Sequence, residues 1–174
     1  MRGRRAQRAA RFGLLASLIL AACSATGRVE ETVPIAAPLG AYETARLDVT
    51  TDGFEDAEIV RLVEAKLDAR LTREGVFARV TSAAVDVGAP DLDLRVRILH
   101  LSRVSTTGRA LVGGLAGRGG IRMEVELVDL ATGTSLGTVT AEGKSSGGTA
   151  FSGRTGQAID QAVERIVATL AAHR

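Results

Sequence analysis

Asp91-Leu92-Asp93-Leu94-Arg95-Val96-Arg97-Ile98-Leu99-His100-Leu101 is the stretch that decides the fold. Leu92, Leu94, Val96 and Ile98 alternate with Asp93, Arg95, Arg97 and Leu99. That two-residue period belongs to a strand with one face in a core and one in water. Ile121–Leu130 repeats it, with Ile121, Met123, Val125 and Leu127 against Arg122, Glu124 and Glu126. Asp129–Thr134 reads as a hairpin turn in which Gly133 takes positive φ. Ser135–Glu142 then returns as the partner strand. Thr44–Thr50 and Val76–Val85 supply two more strands, and Ala89-Pro90 ends the second of these.

Two helices flank these strands. Ile59, Leu62, Val63, Leu67 and Leu71 fall at helical spacing within Phe54–Glu74, with Asp52 as expected N-cap, Glu55 reaching back, and Gly75 as the stop. Thr155–Ala172 carries the strongest period in the chain. Ile159, Ala162, Val163, Ile166, Val167 and Leu170 sit at offsets 0, 3, 4, 7, 8 and 11. Each helix has one apolar stripe, and the strands have one apolar face to cover. The expected fold is therefore α+β: a two-layer sandwich with a mostly antiparallel or mixed sheet and two helices packed on one face.

The composition fits one such domain. The chain has 174 residues, 45% hydrophobic, 24% charged and 3% aromatic. Its basic balance belongs to the first residues, where Arg2, Arg4, Arg5, Arg8 and Arg11 occur without an acid. Taking these five from the 22 basic residues leaves 17 against 20 acidic ones, a formal charge of −3 in place of +2. A general nucleic-acid binder needs a basic face on the mature domain, so that class is set aside. Phe12–Ala22 is an apolar run of 11 residues. That is too short to span a bilayer, which takes about 20 apolar residues, and it fits a secretory leader.

Leu20-Ala21-Ala22-Cys23 closes the leader and resembles the lipobox of bacterial lipoproteins. The resemblance implies cleavage between Ala22 and Cys23, a diacylglycerol on the Cys23 thiol and often an acyl chain on the new amine. Several acyl chains anchor stably where one holds only marginally. The alternative is an ordinary secretory leader with an accidental cysteine. Arg4-Arg5 also raises a twin-arginine signal, but the residues after it do not match that motif. Ser24 follows the cysteine where aspartate would imply retention at the inner membrane. The expected address is the outer membrane, lipid-anchored, with the domain facing the periplasm. Cys23 is the only cysteine, so no internal disulfide forms. The organisation that follows is 1–22 signal peptide, 23–41 lipidated N-terminus and tether, and 42–174 a single periplasmic domain. Pro34 and Pro38 within the tether favour extended backbone.

Candidate chemistry is sparse. Thr107–Gly120 is glycine-rich around Leu111-Val112-Gly113-Gly114-Leu115. It joins two strands, so no helix start is available to meet a phosphate. Exposed apolar residues rimmed by Arg109 and Arg118 make it a candidate partner contact; the bland reading is a long flexible connection. Gly143-Lys144-Ser145 resembles the end of a P-loop, but Thr138 stands where its first glycine belongs. Gly143-Lys144-Ser145-Ser146-Gly147 matches the nucleophile-elbow spacing without the sharp strand-to-helix turn that motif requires. His100 reads as a structural residue continuing the inward alternation. Asp91 and Asp93, on one side of a strand, read as a solvated pair. Two histidines without a free cysteine do not make a metal site. No catalytic residue, metal or cofactor is assigned.

Arg109-Ala110-Leu111-Val112-Gly113, Met123-Glu124-Val125-Glu126-Leu127-Val128-Asp129, Thr132-Gly133, Ser145-Ser146-Gly147-Gly148 and Ala158-Ile159-Asp160 together resemble an uncharacterised family of proteobacterial lipoproteins, classed as a domain of unknown function. The resemblance runs from about Leu47 to Leu170 and brings no catalytic residues with it. The order of elements is also similar to the amino-terminal domain of TolB and to small envelope lipoproteins that regulate peptidoglycan synthases. The function expected is a non-enzymatic accessory or assembly factor. It would be bound to membrane lipid through Cys23 and act on an envelope protein by contact through the glycine-rich loop or a sheet edge. The alternative is a periplasmic binding module for a small ligand or envelope polymer.

Overall fold

The computed structural model describes residues 25–84, 89–103, 119–146 and 155–174. Their elements run β1 (Thr26–Val33), β2 (Thr44–Thr51), α1 (Ala57–Arg73), β3 (Arg79–Ser82), β4 (Leu92–Ser102), β5 (Gly120–Asp129), β6 (Ser135–Lys144) and α2 (Thr155–Ala172). One 3-10 turn, Leu39–Ala41, precedes β2. The six strands form one sheet in the order β1-β6-β5-β4-β2-β3. The β1–β6, β6–β5 and β5–β4 pairs are antiparallel, and β2 is parallel to both β4 and β3. The sheet is mixed, both helices lie on one face, and among the described residues no element covers the other, as the strand periods lead one to expect.

The core lies between sheet and helices. Leu92, Leu94, Val96 and Ile98 of β4, Ile121, Met123, Val125 and Leu127 of β5, and Ala45, Leu47 and Val49 of β2 point into it. They meet Ile59, Val63, Leu67 and Leu71 of α1 and the full stripe Ile159, Ala162, Val163, Ile166, Val167 and Leu170 of α2. Burying such side chains supplies about 1.5–3 kcal/mol each, before the entropy of ordering them is counted. The turn after β5 also forms as read. Gly133 has φ +71°, its N–H donates to Asp129 O at 2.8 Å, and the Asp129 carboxylate accepts from Thr132 N–H at 2.9 Å.

Six local readings need correction. The tether 23–41 is mostly structure, because Thr26–Val33 is an edge strand paired with β6. Its alternation is masked by polar residues on both sides, since an edge strand lying over the rim of the core buries little. α1 begins at Ala57, capped by Asp56, whose carboxylate accepts from Ile59 N–H at 3.2 Å. Asp52-Gly53 is instead a turn, with Gly53 at φ +75°. Leu62 is exposed, one position off the stripe. The third strand is only Arg79–Ser82, preceded by buried Val76 and Phe77 in the loop. In β4 a bulge between Ile98 and His100 inserts one residue, so His100 pairs outward with Arg122 and Leu101 turns toward Ile121 and the core. Finally, β6 runs two residues past Glu142 and takes in Gly143 and Lys144.

Gly143 has a specific task. A Cβ built on it would lie 1.8 Å from Ala158 O and 2.9 Å from Ala162 N. Gly27 is its partner across the β1–β6 ladder, and a Cβ there would lie 2.8 Å from Gln161 O. The two glycines make a flat shelf on which the α2 backbone rests. Ala158 and Ala162 are fully buried against it.

Gly143→Ala is expected to destabilise by about 3 kcal/mol, the upper range for forcing atoms into a packed site. Gly156→Ala is the control. Nothing lies within 4 Å of its Cβ direction, so it should stabilise by about 0.5 kcal/mol through lost chain entropy. Urea denaturation followed by circular dichroism checks both, and equal midpoints for the two variants would remove the shelf from the account.

Candidate functional site

The open face of the sheet is built from the other half of each strand alternation. Register brings these side chains into rows. Asp48 on β2 lies beside Arg95 on β4, Glu126 on β5 and Thr138 on β6. The next row is Thr50, Arg97, Glu124, Thr140 and Glu30. The third is His100, Arg122, Glu142 and Arg28. Neighbours of opposite charge pair across the ladder. Arg97 Nη2 donates to Glu124 Oε1 at 2.6 Å, Arg95 Nη1 lies 3.8 Å from Glu126 Oε2, and Arg122 Nε lies 3.8 Å from Glu142 Oε1. Thr32 and Thr140 hydroxyls are 2.8 Å apart. A trough of about 540 Å³ runs over Val33, Thr50, Arg95, Arg97, Glu124 and Thr138. A second hollow of about 660 Å³, with His100, Ser102, Arg122, Glu142 and Lys144 on its walls, occupies one end of the sheet.

Asp93 is the exception among these outward residues, because it is buried at 1% exposure. It was expected in water. Arg46 covers it with two hydrogen bonds, Nε to Oδ1 at 3.0 Å and Nη2 to Oδ2 at 2.8 Å, and Arg95 Nε adds a third at 3.0 Å. Burial works to raise the Asp93 carboxyl, but the two guanidinium groups outweigh it and hold the carboxyl below its ordinary value. Asp91 is also occupied. The Thr44 hydroxyl at 2.8 Å and the Thr44 and Glu43 N–H groups hold it low against some desolvation. Asp129 is held low by the Thr132 N–H and then by the Tyr42 hydroxyl, 2.9 Å away. These carboxylates pin loops and strands together, and none is poised to exchange a proton near neutral pH.

The other sequence candidates fall as follows. Ala22, Cys23 and the contact residues Leu111, Val112, Gly113, Gly114 and Leu115 lie outside the described residues. Gly143 is pressed against α2 and offers no free amide cradle for phosphate. Ser145 is fully buried, and its hydroxyl has no hydrogen-bond partner among the described residues. A nucleophile elbow would hold it exposed instead. No group of three or more metal-ligating side chains occurs among the described residues. The charge rows went unread as a surface because their members are far apart in the chain. The signal was present in the polar half of each alternation, but only register makes it a grid.

Asp93→Asn should cost about 2 kcal/mol, the size of a lost charge-assisted hydrogen-bond set, since Arg46 and Arg95 can be rehydrated. Because Asp91, Asp93 and Asp129 have depressed folded values, their stabilisation is complete above the ordinary carboxyl value of 3.8. It is lost as pH falls through the folded values. Urea midpoints measured down the acid limb should fall steeply for the native chain and less steeply for Asp93→Asn. Parallel curves would mean that the Arg46–Asp93–Arg95 cluster contributes nothing to acid sensitivity.

Comparison with known proteins adds a fold and a family. PelC from Paraburkholderia phytofirmans, solved as a dodecamer in two crystal forms, has the same architecture. One form gives a TM-score of 0.59 at 17% identity, covering 84% of this chain and 98% of that one. The other gives 0.57 at 16%, covering 84% and 97%. A Xanthomonas campestris protein of the DUF330 family gives 0.49 at 9%, covering 82% and 86%. No curated relative matches the sequence. The family described as Domain of unknown function (DUF4410) matches residues 48–149, and the chain belongs to it.

Proposed function

We propose that the chain is a lipoprotein anchored by acylated Cys23, at the outer membrane with its domain in the periplasm. In this reading it acts without catalysis, as an accessory or assembly factor working through protein contact. The observation that carries this is the open sheet face. Five strands present a polar, charge-paired surface that no helix or loop among the described residues covers. Burying its paired charges against a partner of complementary pattern gives specificity and register more than raw affinity. PelC, which shares the fold, assembles as a dodecamer, and this supports a second copy of the chain as one such partner. The glycine-rich stretch Leu111–Leu115 is a second contact surface in the same reading.

The trough of about 540 Å³ favours a second reading, a binding module for a small polar ligand or an envelope polymer.

A photo-crosslinking residue placed at Thr50, on the open face, should capture a second copy or one reproducible envelope protein in living cells. The same residue at Ala69, exposed on α1, should capture neither. Arg97→Glu should reduce capture several-fold while costing under about 1 kcal/mol of stability, the usual size for an exposed pair. Leu115→Asp tests the loop in the same way. Capture that survives both changes, or none from Thr50, would turn attention to the ligand-binding reading.

A further inference from the structure

β1 begins close to the anchor expected at Cys23. β1 starts at Thr26, three residues after Cys23. At about 3.3–3.6 Å per residue, the fully extended chain between them spans only about 10 Å. Thr26 stands at one end of the sheet, in register with Lys144, which pairs with Gly120, which pairs with Ser102. We infer that this end of the sheet docks on the phosphate headgroups of the bilayer that holds Cys23. The inference rests on the lipidation reading above. With so short a connection, Thr26 stays close to the headgroup layer, and Lys144, Gly120 and Ser102 follow it along the same end of the ladder. The Asp129–Thr134 hairpin at the other end of β5 stands roughly 33 Å away along a strand of 10 residues.

The chemistry of this end suits the contact. Lys144 and Arg28 are exposed there and have no ion-pair partner among the described residues, while Arg122 shares its charge with Glu142. His100, Arg122 and Lys144 rim the hollow of about 660 Å³. Unpaired cations are attracted to an anionic surface within a Debye length of it. The charge therefore holds the orientation that the short connection sets.

The chain contains no tryptophan, so single-tryptophan variants report one position each. Lys144→Trp and Thr26→Trp mark the near end, and Thr132→Trp marks the hairpin; all three positions are exposed. The full-length chain, processed in cells and purified from membranes, is reconstituted into vesicles of phosphatidylethanolamine and phosphatidylglycerol carrying a headgroup spin label. Emission from positions 144 and 26 should be quenched several-fold more than emission from 132. Equal quenching, or stronger quenching at 132, overturns the orientation. The mass of the Cys23 peptide is read on the same sample. An unmodified peptide overturns the lipidation reading and the orientation with it; an acylated peptide with equal quenching overturns the orientation alone.

Discussion

The structure turns on the contact between the α2 backbone and the glycine pair Gly27 and Gly143. Helices normally stand off a sheet by the length of the side chains between them. Here a Cβ on Gly143 would lie 1.8 Å from a helix carbonyl, so that separation has collapsed to backbone on backbone. The close seat brings the α2 stripe down onto β5 and β6, while the larger residues of α1 pack over β2 and β3. It also recruits β1, which has little core of its own. Gly27 shares the shelf, so the edge strand is held by α2 as well as by its ladder to β6.

One consequence is a strict division of labour between the two faces. The core lies on the helix side, and the other side, Val33 and Val128 apart, carries polar residues and charges, most of them paired across the strands. Such a face is soluble without being inert. Asp93 shows how far it can be buried locally when two guanidinium groups stand over a carboxylate. The depressed carboxylates are all explained by hydrogen bonds that hold chain segments together, so they give no support to acid–base chemistry. Among the described residues, the features that do point to function are surfaces: the open face and the end bearing Lys144.

The elements legible in the sequence were those whose period is set by one large core. β4, β5, the Gly133 turn and α2 each bury a full row of side chains, and their alternation or stripe is correspondingly clean. β1 was missed because Arg28, Glu30, Glu31 and Thr32 give an edge strand no apolar row to display. The inward position expected for His100 failed because one inserted residue at a bulge flips everything after it, and a bulge leaves no local mark in Leu99-His100. Asp93 was read as solvated because its partner Arg46 is 47 residues away. The role of Gly143 was hidden for a related reason. Its glycine has the look of a loop or a phosphate cradle until the helix that needs the space is known to lie above it.

The ladder between β1 and β6 has a further consequence, for the order of events in maturation. Thr32 and Thr140, which touch across it, are 108 residues apart. Contacts of such separation close late, after the local β4–β5–β6 meander has formed. The first strand to leave the ribosome is therefore the last to find its place. Until it does, the outer edge of β6 stays unpaired, a ready template for pairing with another chain. The late strand is thus the cover of that edge, and it closes when the rest of the domain is complete.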